Sequence, residues 1–535
     1  MTRAVEGAQP TGRREGMMVE LVEPLDRTGA RPGAPWNRNG SGLRLPIASA
    51  RRAVDVREWT AIQRFVLLLA VVYLAKQVVY AFLFPAFSGH DEVAHYEYLR
   101  VVATEGRVPV IPDLEEWRAA FSDRTPTSED RLGTDLYRYC HYTLDWYCEL
   151  PKYENNPPYA VTYLDEFYPS GWVYTANHPP LYYMLMAPVY WLSDGTSPVT
   201  QLYLLRFAAI PFGLATVLLA FLTARTLFPT DGFVPVVSSA FVAFQTQVSY
   251  EAAMLNNDIL GVALYSLALY LLVRGIRDRF PSPLCFALGI TLGLSLLAKS
   301  TSVTVVGIAG LTMLVVLGFR DWRGLVERGM LVGVPMVLLI APWYVFLYRT
   351  YGNLTVLPQI EALQWWNSPG GGFFDLLFSR GFAEMRFKET WGYWGWRLIP
   401  LDKTTLWAIG VPLIVALGGL VQYAVLASRL RPADEDGQVA RPVRWQALAL
   451  GMLLFSCVVA YVAIVQFGVT FSLTQARYFF PIVNAAAILL ALGWRTLIPL
   501  RFHPYGQGAA VTALVAMNIL IFSQFVIPYW QLSFD

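Results

Sequence analysis

The sequence predicts an all-α polytopic membrane protein with about 11 transmembrane helices, each needing about 20 apolar residues to cross the hydrocarbon. Only 15% of the 535 residues are charged and 55% are hydrophobic, whereas about 25% of an average soluble chain is charged. The mean hydropathy is +0.41. This composition excludes a protein built of soluble domains, and equally a long disordered, collagen-like or disulfide-scaffold protein.

The predicted spans follow from the lipid environment, in which a helix must satisfy every backbone polar group internally. Apolar stretches of suitable length lie at 62–84, 200–227, 234–250, 259–273, 284–298, 302–319, 330–348, 404–427, 446–467, 479–494 and 508–528. Cytoplasmic loops carry the excess of Lys and Arg. Every second connection is rich in arginine, beginning with the segment before the first span. The pattern predicts an N-terminus inside and a C-terminus outside.

The chain divides into a predicted disordered cytoplasmic tail, 1–60, and a membrane-embedded domain, 61–535. The tail is rich in Gly, Pro and Arg and has no apolar period that could bury a core. The domain carries two large exterior loops, 85–199 and 349–403, which favour an enzyme at the outer face over a pure transporter. Cys140 and Cys148 share the first loop, and we expect them to form a disulfide outside the cytoplasm. The formal net charge of +2 predicts no nucleic-acid partner.

The first exterior loop opens with an acidic pair, Asp91 and Glu92, on a stretch with helical spacing. Both carboxylates could stabilise the first turn of an interfacial helix through its macrodipole. Alternatively, they face a cavity at the membrane surface, where one acts as general base on an acceptor hydroxyl. His95 follows at a spacing that lets it contact either one. The three side chains could also bind a divalent cation, although ligands on one turn do not complete a site, and no other cofactor is predicted.

Two further polar segments lie on the predicted exterior side. His178 precedes two prolines and a short apolar helix predicted at 181–192, which we expect to lie at the outer interface on its aromatic residues. His178 is either a solvated loop residue or a neighbour of the site. In the connection after the third span, Asn257 or Asp258 could cap the fourth span. Otherwise these side chains bind sugar hydroxyls, or Glu251 or Asp258 orients the acceptor.

The order of these motifs resembles the GT-C superfamily of multispanning glycosyltransferases. The resemblance rests on the acidic pair, the Pro-Pro-Leu-Tyr-Tyr segment, Lys299 in an apolar stretch, and the sequence Gln-Ala-Arg-Tyr-Phe-Phe-Pro that contains Arg477 and Tyr478. Within the superfamily the chain is most similar to the bacterial protein O-mannosyltransferase and lipid A aminoarabinose transferase branch. One departure is His178, where that branch often has a charged residue directly before Pro-Pro.

The resemblance implies inverting transfer of a sugar from a polyprenyl phosphate or diphosphate carrier to a hydroxyl acceptor on a polysaccharide, a lipid or a protein. It places the reaction at the exterior face of the bacterial cytoplasmic membrane, in contact with membrane lipid. On that mapping Asp91 is the catalytic base and Glu92 its alternative. The competing class is a transporter or flippase of lipid-linked saccharides, which predicts ionisable residues near mid-depth in the spans. The spans contain few of them.

A leaving phosphate needs fixed cations in a low-dielectric site. Lys299 at the outer end of the fifth span and Arg477 in a short exterior loop lie where the positive-inside bias would not place cations. The alternatives are a snorkelling lysine and a solvated arginine. Arg477 is the stronger candidate because a guanidinium binds phosphate bidentately. We also expect the adjacent Tyr478 to contact the substrate. Arg386 and Lys388 in the second large exterior loop are weaker candidates.

The second large exterior loop is also rich in tryptophan. Trp391 and Trp394 belong to a dense Trp-Gly-Tyr-Trp-Gly-Trp segment. Tryptophan at an outer interface is ordinarily a membrane anchor. The density of this segment favours instead a platform for a sugar or a lipid isoprene in a mobile lid.

Overall fold

The structure, a computed structural model, describes residues 60–111, 173–356, 358–359, 371–397, 399–429, 442–471 and 475–534. The predicted tail and the predicted Cys140–Cys148 disulfide lie outside these residues. The described part is almost entirely helical. Its one strand is a two-residue β1, Ile399–Pro400, which pairs with Tyr393 and Trp394 in antiparallel bridges.

The helices are numbered in chain order. They are α1 Ala61–Leu83, α2 Glu92–Glu105, α3 Leu181–Leu192, α4 Pro198–Leu227, α5 Phe233–Phe244, α6 Thr246–Ala253, α7 Asp258–Asp278, α8 Ser282–Ala298, α9 Val303–Leu317, α10 Trp322–Tyr351, α11 Phe373–Leu377, α12 Arg380–Trp391, α13 Trp394–Arg397, α14 Lys403–Arg429, α15 Arg444–Thr470, α16 Val483–Leu497, α17 His503–Ile521 and α18 Ile527–Phe534. Short 3₁₀ segments at Val173–Asn177, Ser300–Ser302 and Ala476–Ile482 precede α3, α9 and α16, and a π turn at Phe522–Val526 joins α17 to α18.

The predicted all-α membrane architecture is confirmed. Among the described residues, nine helices are long and apolar enough to cross a membrane, and each coincides with a predicted span. The remaining two predicted spans are also helical: 234–250 is the pair α5 and α6, and 284–298 is the 17-residue helix α8. The short helix expected at 181–192 is present as α3.

The third predicted span is broken at Gln245, which the apolar pattern did not indicate. Gln245 has an extended conformation, and its side chain caps α6 by accepting from the Val248 amide. The carbonyls freed at the end of α5 are bonded from other helices: the Lys76 ammonium of α1 donates to the Ala243 oxygen, and the Asn518 amide of α17 donates to that of Phe244. A break at membrane depth needs such partners because lipid offers none.

The helices pack closely where small residues meet. A side chain at Gly419 of α14 would collide with the backbone of Gly493 in α16, and a side chain at Gly493 would collide with that of Ala416. Small residues of this kind let membrane helices approach each other backbone to backbone. The bundle thereby holds α16, and the 3₁₀ segment that leads into it, in a fixed position. That segment carries Arg477.

Candidate active site

A buried cluster of four charged side chains forms at one end of the bundle, where α1 ends. Arg477 contacts the Asp91 carboxylate through Nη2, and its Nη1 lies 3.5 Å from Oδ2 of Asp258. The Lys299 ammonium contacts Oδ1 of Asp258. None of the four is more than 7% exposed. The structure thus brings together four predicted site residues from four separate parts of the chain.

Helix ends position the cluster. Asp258 is the first residue of α7 and Lys299 follows the last residue of α8. A carboxylate is stabilised near a helix N-terminus and a cation near a C-terminus. The Tyr478 ring lies beneath both cations, 5.2 Å from the Lys299 Nζ and 5.6 Å from the Arg477 guanidinium carbon. The two expected alternatives, a snorkelling lysine and a solvated arginine, are therefore wrong.

Asp91 adopts a left-handed backbone conformation, with φ 55° and ψ 15°. This region is unfavourable for most residues, although Asp and Asn tolerate it better than others. Its side chain makes no capping hydrogen bond to α2. The carboxylate is turned instead toward Arg477. The Asp91 side chain therefore does not cap α2, which was one of the two roles predicted from the sequence.

Glu92 forms a different, fully buried ion pair. Its carboxylate accepts from Nε and Nη2 of Arg206 at 2.8 and 2.5 Å, and it also accepts from the Leu255 and Gly89 amides. The remaining Arg206 donors reach the carbonyls of Ala81, Phe84 and Pro85 at 2.7 to 2.9 Å. All five guanidinium N–H groups are therefore used. This pair ties the end of α1 to the start of α2 and fixes the turn that presents Asp91.

Hydrogen bonds from its own polar side chains fix the connection before α7. Glu251 lies 2.8 Å from Nδ1 of His90 and accepts from Asn256. Asn256, rather than Asn257 or Asp258, caps α7 by accepting from two of its first amides. Asn257 donates to the Ala298 carbonyl at 3.0 Å, which joins the start of α7 to the end of α8. The expected capping role of Asn257 and Asp258 is thus wrong, and Asp258 remains available to the cations.

Two histidines stack beside the cluster. His95 Nδ1 lies 2.8 Å from the Tyr183 hydroxyl oxygen, and the His178 ring stacks on His95 with centroids 5.7 Å apart. Burial lowers the pKa of His95 to about 3; Asp91 opposes this shift, and Arg477 and Lys299 add to it. Burial and the Lys299 charge also lower the pKa of His178. Both rings are therefore neutral near pH 7, and His178 is buried rather than solvated.

The neutral, buried state of His95 predicts an acid sensitivity of the fold. Its folded-state pKa lies below that of an unfolded histidine, so the unfolded chain binds the extra proton between about pH 6.5 and pH 3. The free energy of unfolding is therefore highest above this pH window and decreases as the pH falls through it. At pH 5 the decrease due to His95 is about 2 kcal/mol. We expect the thermal midpoint in detergent to fall less between pH 7 and pH 5 in His95→Gln than in the wild type. Equal falls would contradict the assignment.

The residues of α12 contribute to the cluster through Glu389. Glu389 binds Arg386 and Arg397, and it accepts from the Ala476 amide at 3.0 Å, directly beside Arg477. Arg386 therefore lies near the site but is engaged by a carboxylate. Lys388 is not brought to the site, since it pairs with Glu384 in a partly exposed contact.

Four of the aromatic residues expected at an interface are instead core residues, whereas Trp191 of α3 is exposed as expected. Trp394 is fully buried, with its ring 5.8 Å from that of Phe522, and Trp391 is 4% exposed. The buried Trp394 ring offers no open face to a ligand, whereas Trp391 lines an apolar groove, so the platform interpretation stays a prediction for Trp391 alone. Tyr182 and Tyr183 are also fully buried, and their expected role as membrane anchors is wrong.

Two cavities adjoin the cluster, and a third contacts none of its four charged residues. A narrow one is lined by His90, Gln247, Glu389, Tyr393, Arg397, Gln475, Ala476 and Arg477. An apolar one of about 170 Å³ begins at Tyr478 and runs between α7, α9 and α15. The largest, about 640 Å³, is an apolar groove between α14 and α17 whose lining includes Trp391 and none of the four charged residues. Among the described residues, no group of three or more His, Cys, Asp or Glu side chains could hold a metal ion.

Several residues of this site were not found from the sequence. Arg206 and Lys76 are cations inside predicted spans, and the rule that singled out Lys299 applies equally to them. Glu389 and Arg397 carry no comparable signal, because charged residues are ordinary in a large loop. Asn256 was overlooked within the polar connection that contained the predicted residues.

Known proteins similar to this chain include one protein family and two crystal structures. Residues 177–346 match the family described as dolichyl-phosphate-mannose-protein mannosyltransferase. No curated protein sequence matches the chain. Two crystal structures of ArnT from Cupriavidus metallidurans are similar at 15% identity, with TM-scores of 0.48 in the apo state and 0.47 bound to undecaprenyl phosphate. The alignments cover 88% and 87% of this chain and 74% and 73% of those chains. The family match confirms, over its matched segment, the resemblance to the GT-C glycosyltransferases that the motifs indicated.

Proposed function

We propose that the protein transfers a sugar from a polyprenyl-phosphate carrier to a hydroxyl acceptor, with inversion, at the exterior face of the bacterial cytoplasmic membrane. The observation that carries the proposal is the buried contact of Asp91 with Arg477 and, through Asp258, with Lys299. A carboxylate beside two cations combines a base for the acceptor with a binding site for the departing phosphate.

The chemistry is a single displacement. Asp91 takes the proton from the acceptor hydroxyl as its oxygen attacks the anomeric carbon of the donor sugar. The bond from that carbon to the phosphate oxygen breaks, and the polyprenyl phosphate leaves with the bonding electrons. Arg477 and Lys299 stabilise the resulting negative charge in a site from which water is largely excluded.

The apolar surroundings fit an amphiphilic donor. The 170 Å³ cavity begins at Tyr478, directly beneath the two cations, and its other walls are mainly apolar side chains of α15 and α9. A phosphate held by the cations would leave the first isoprene units of its chain in this cavity. A free nucleotide sugar has no lipid chain that would fill this apolar cavity.

A transporter or flippase of lipid-linked saccharides is less well supported. It predicts ionisable residues that line a path through the spans. Two cations well inside described spans have fixed structural partners: Arg206 is saturated by Glu92 and carbonyls, and Lys76 bonds the Ala243 carbonyl and the Ser249 hydroxyl. Neither is placed to move with a solute.

Binding of undecaprenyl phosphate tests the proposal. We expect Arg477→Ala to weaken it about ten- to a hundredfold, because hydrogen bonds to charged groups contribute about 1.5 to 3 kcal/mol. The affinity of Arg477→Lys should lie between those of the wild type and Arg477→Ala, since lysine keeps the charge and loses the bidentate geometry. Affinity would be measured on purified protein in mild detergent, together with mass spectrometry of copurified lipids.

The matched control is Arg274→Ala, which removes an arginine that pairs with Asp278 away from the cluster. It should bind the lipid as the wild type does. Unchanged affinity in Arg477→Ala, or the absence of any polyprenyl-phosphate sugar among the copurified lipids of an active preparation, would contradict the proposal.

A further inference from the structure

Asp258 lies against both of the cations that would bind the donor phosphate. Its Oδ1 contacts the Lys299 ammonium, and its Oδ2 faces Nη1 of Arg477 at 3.5 Å. A carboxylate that spans two cations with its two oxygens resembles a phosphate spanning them with two of its own. The donor therefore meets a site in which an anion is already bound.

The fit of Asp258 to Arg477 is incomplete. At 3.5 Å, Oδ2 is beyond normal hydrogen-bond distance from the guanidinium. Within the part of the chain that the structure describes, Asp258 Oδ2 and Arg477 Nε have no hydrogen-bond partner, and both atoms are buried. An unbonded buried donor and acceptor are unfavourable. A phosphate oxygen at Nε would satisfy the donor that Asp258 leaves unused.

Electrostatic repulsion also favours the movement of one carboxylate away from Arg477 when the phosphate binds. The cluster holds two cations and two carboxylates in direct contact or near contact, so an added phosphate would leave it with excess negative charge in a buried site. Asp91 contacts Arg477 directly, whereas Asp258 lies at the longer distance. Asp258 can release Arg477 and still keep Lys299 and its favourable place at the N-terminus of α7.

We propose that Asp258 is an internal competitor for the donor phosphate. It holds Lys299 and Arg477 in the phosphate position while the site is empty, yields Arg477 when the lipid phosphate enters, and returns when the product leaves. Its presence lowers the affinity for polyprenyl phosphate and so favours release of that product. This role rests on the proposed function, since it takes Arg477 and Lys299 as the phosphate-binding cations.

Removing the competitor should strengthen binding. We expect Asp258→Asn to bind undecaprenyl phosphate about tenfold more tightly than the wild type in the same detergent. The control is Asp278→Asn at the opposite end of the same helix, where the carboxylate pairs with Arg274 and Arg277. It should leave the affinity unchanged. Unchanged or weaker binding in Asp258→Asn would overturn the competitor role.

Stability gives a second measurement if the variant folds poorly. Asp258→Asn leaves Lys299 without its carboxylate, so the lipid-free protein should melt at a lower temperature than the wild type. A ligand that binds only the folded state stabilises it by RT ln(1 + [L]/Kd), so tighter binding gives a larger stabilisation at the same ligand concentration. Saturating undecaprenyl phosphate should therefore raise the melting temperature more in Asp258→Asn, or in Asp258→Ser, than in the wild type. An equal or smaller rise would overturn the inference.

Lipid binding by the two variants distinguishes the phosphate site from the competitor role of Asp258. If Arg477→Ala binds the lipid as well as the wild type, the phosphate site itself is misplaced and the proposed function loses its support. If Arg477→Ala loses binding while Asp258→Asn gains none, the phosphate site stands and only the competitor role is wrong.

Discussion

Replacing Asp91 with asparagine should reduce sugar transfer by about 10²- to 10⁴-fold, the usual contribution of a positioned general base. The amide keeps the shape of the side chain and an acceptor oxygen for Arg477, but it cannot take a proton from the acceptor. Undecaprenyl phosphate binding should change much less, because Arg477 and Lys299 remain. Turnover of the copurified donor would be followed in membranes of the producing cells, where the acceptor is present.

The control for this substitution is Asp194→Asn, an exposed aspartate in the connection between α3 and α4. It should transfer sugar at the wild-type rate. Wild-type turnover in Asp91→Asn would show that Asp91 is not the general base. Loss of turnover together with complete loss of lipid binding would show instead that Asp91 acts on the cations alone.

Replacing Arg206 with methionine should destabilise the fold by about 3 to 5 kcal/mol, because it strands a buried carboxylate on Glu92. The same change frees the carbonyls at the end of α1, including that of Phe84, which the guanidinium now binds. The thermal midpoint in detergent and the yield of folded protein would both fall. No functional ligand is needed to observe this effect.

A double variant separates charge from packing. Combining Arg206→Met with Glu92→Gln removes both charges, so it should recover part of the stability lost in the single variant. An Arg206→Met protein as stable as the wild type would contradict the structural role of the pair. Equal losses in the single and double variants would assign the effect to the carbonyl contacts.

Local sequence patterns predicted the membrane architecture because hydropathy is a property of neighbouring residues. All eleven predicted spans fall on helical segments, although 234–250 is divided at Gln245 into two helices. The break at Gln245 was missed because the partners that make it tolerable, Lys76 and Asn518, belong to distant helices. The tryptophans of α12 and α13 were placed at a surface because composition does not reveal what packs over a ring.

The candidate site was predicted in its residues and less well in its pairings. Asp91, Lys299 and Arg477 followed from charge in unexpected places and from the resemblance to a known superfamily. Their mutual contacts did not follow, since 386 residues separate Asp91 from Arg477. For the same reason Glu92 remained an alternative base until its contact with Arg206, 114 residues away, assigned it a structural position.

The central claim is that the donor phosphate binds between Arg477 and Lys299, beside Asp91. Its most direct test is the position of the phosphate in an experimental structure of this protein with undecaprenyl phosphate. We predict phosphate oxygens about 3 Å from the Arg477 guanidinium and the Lys299 ammonium, the lipid chain in the cavity at Tyr478, and Asp258 no longer facing Arg477. A phosphate bound at Arg386 and Arg397, with the four-residue cluster unchanged, would contradict the account.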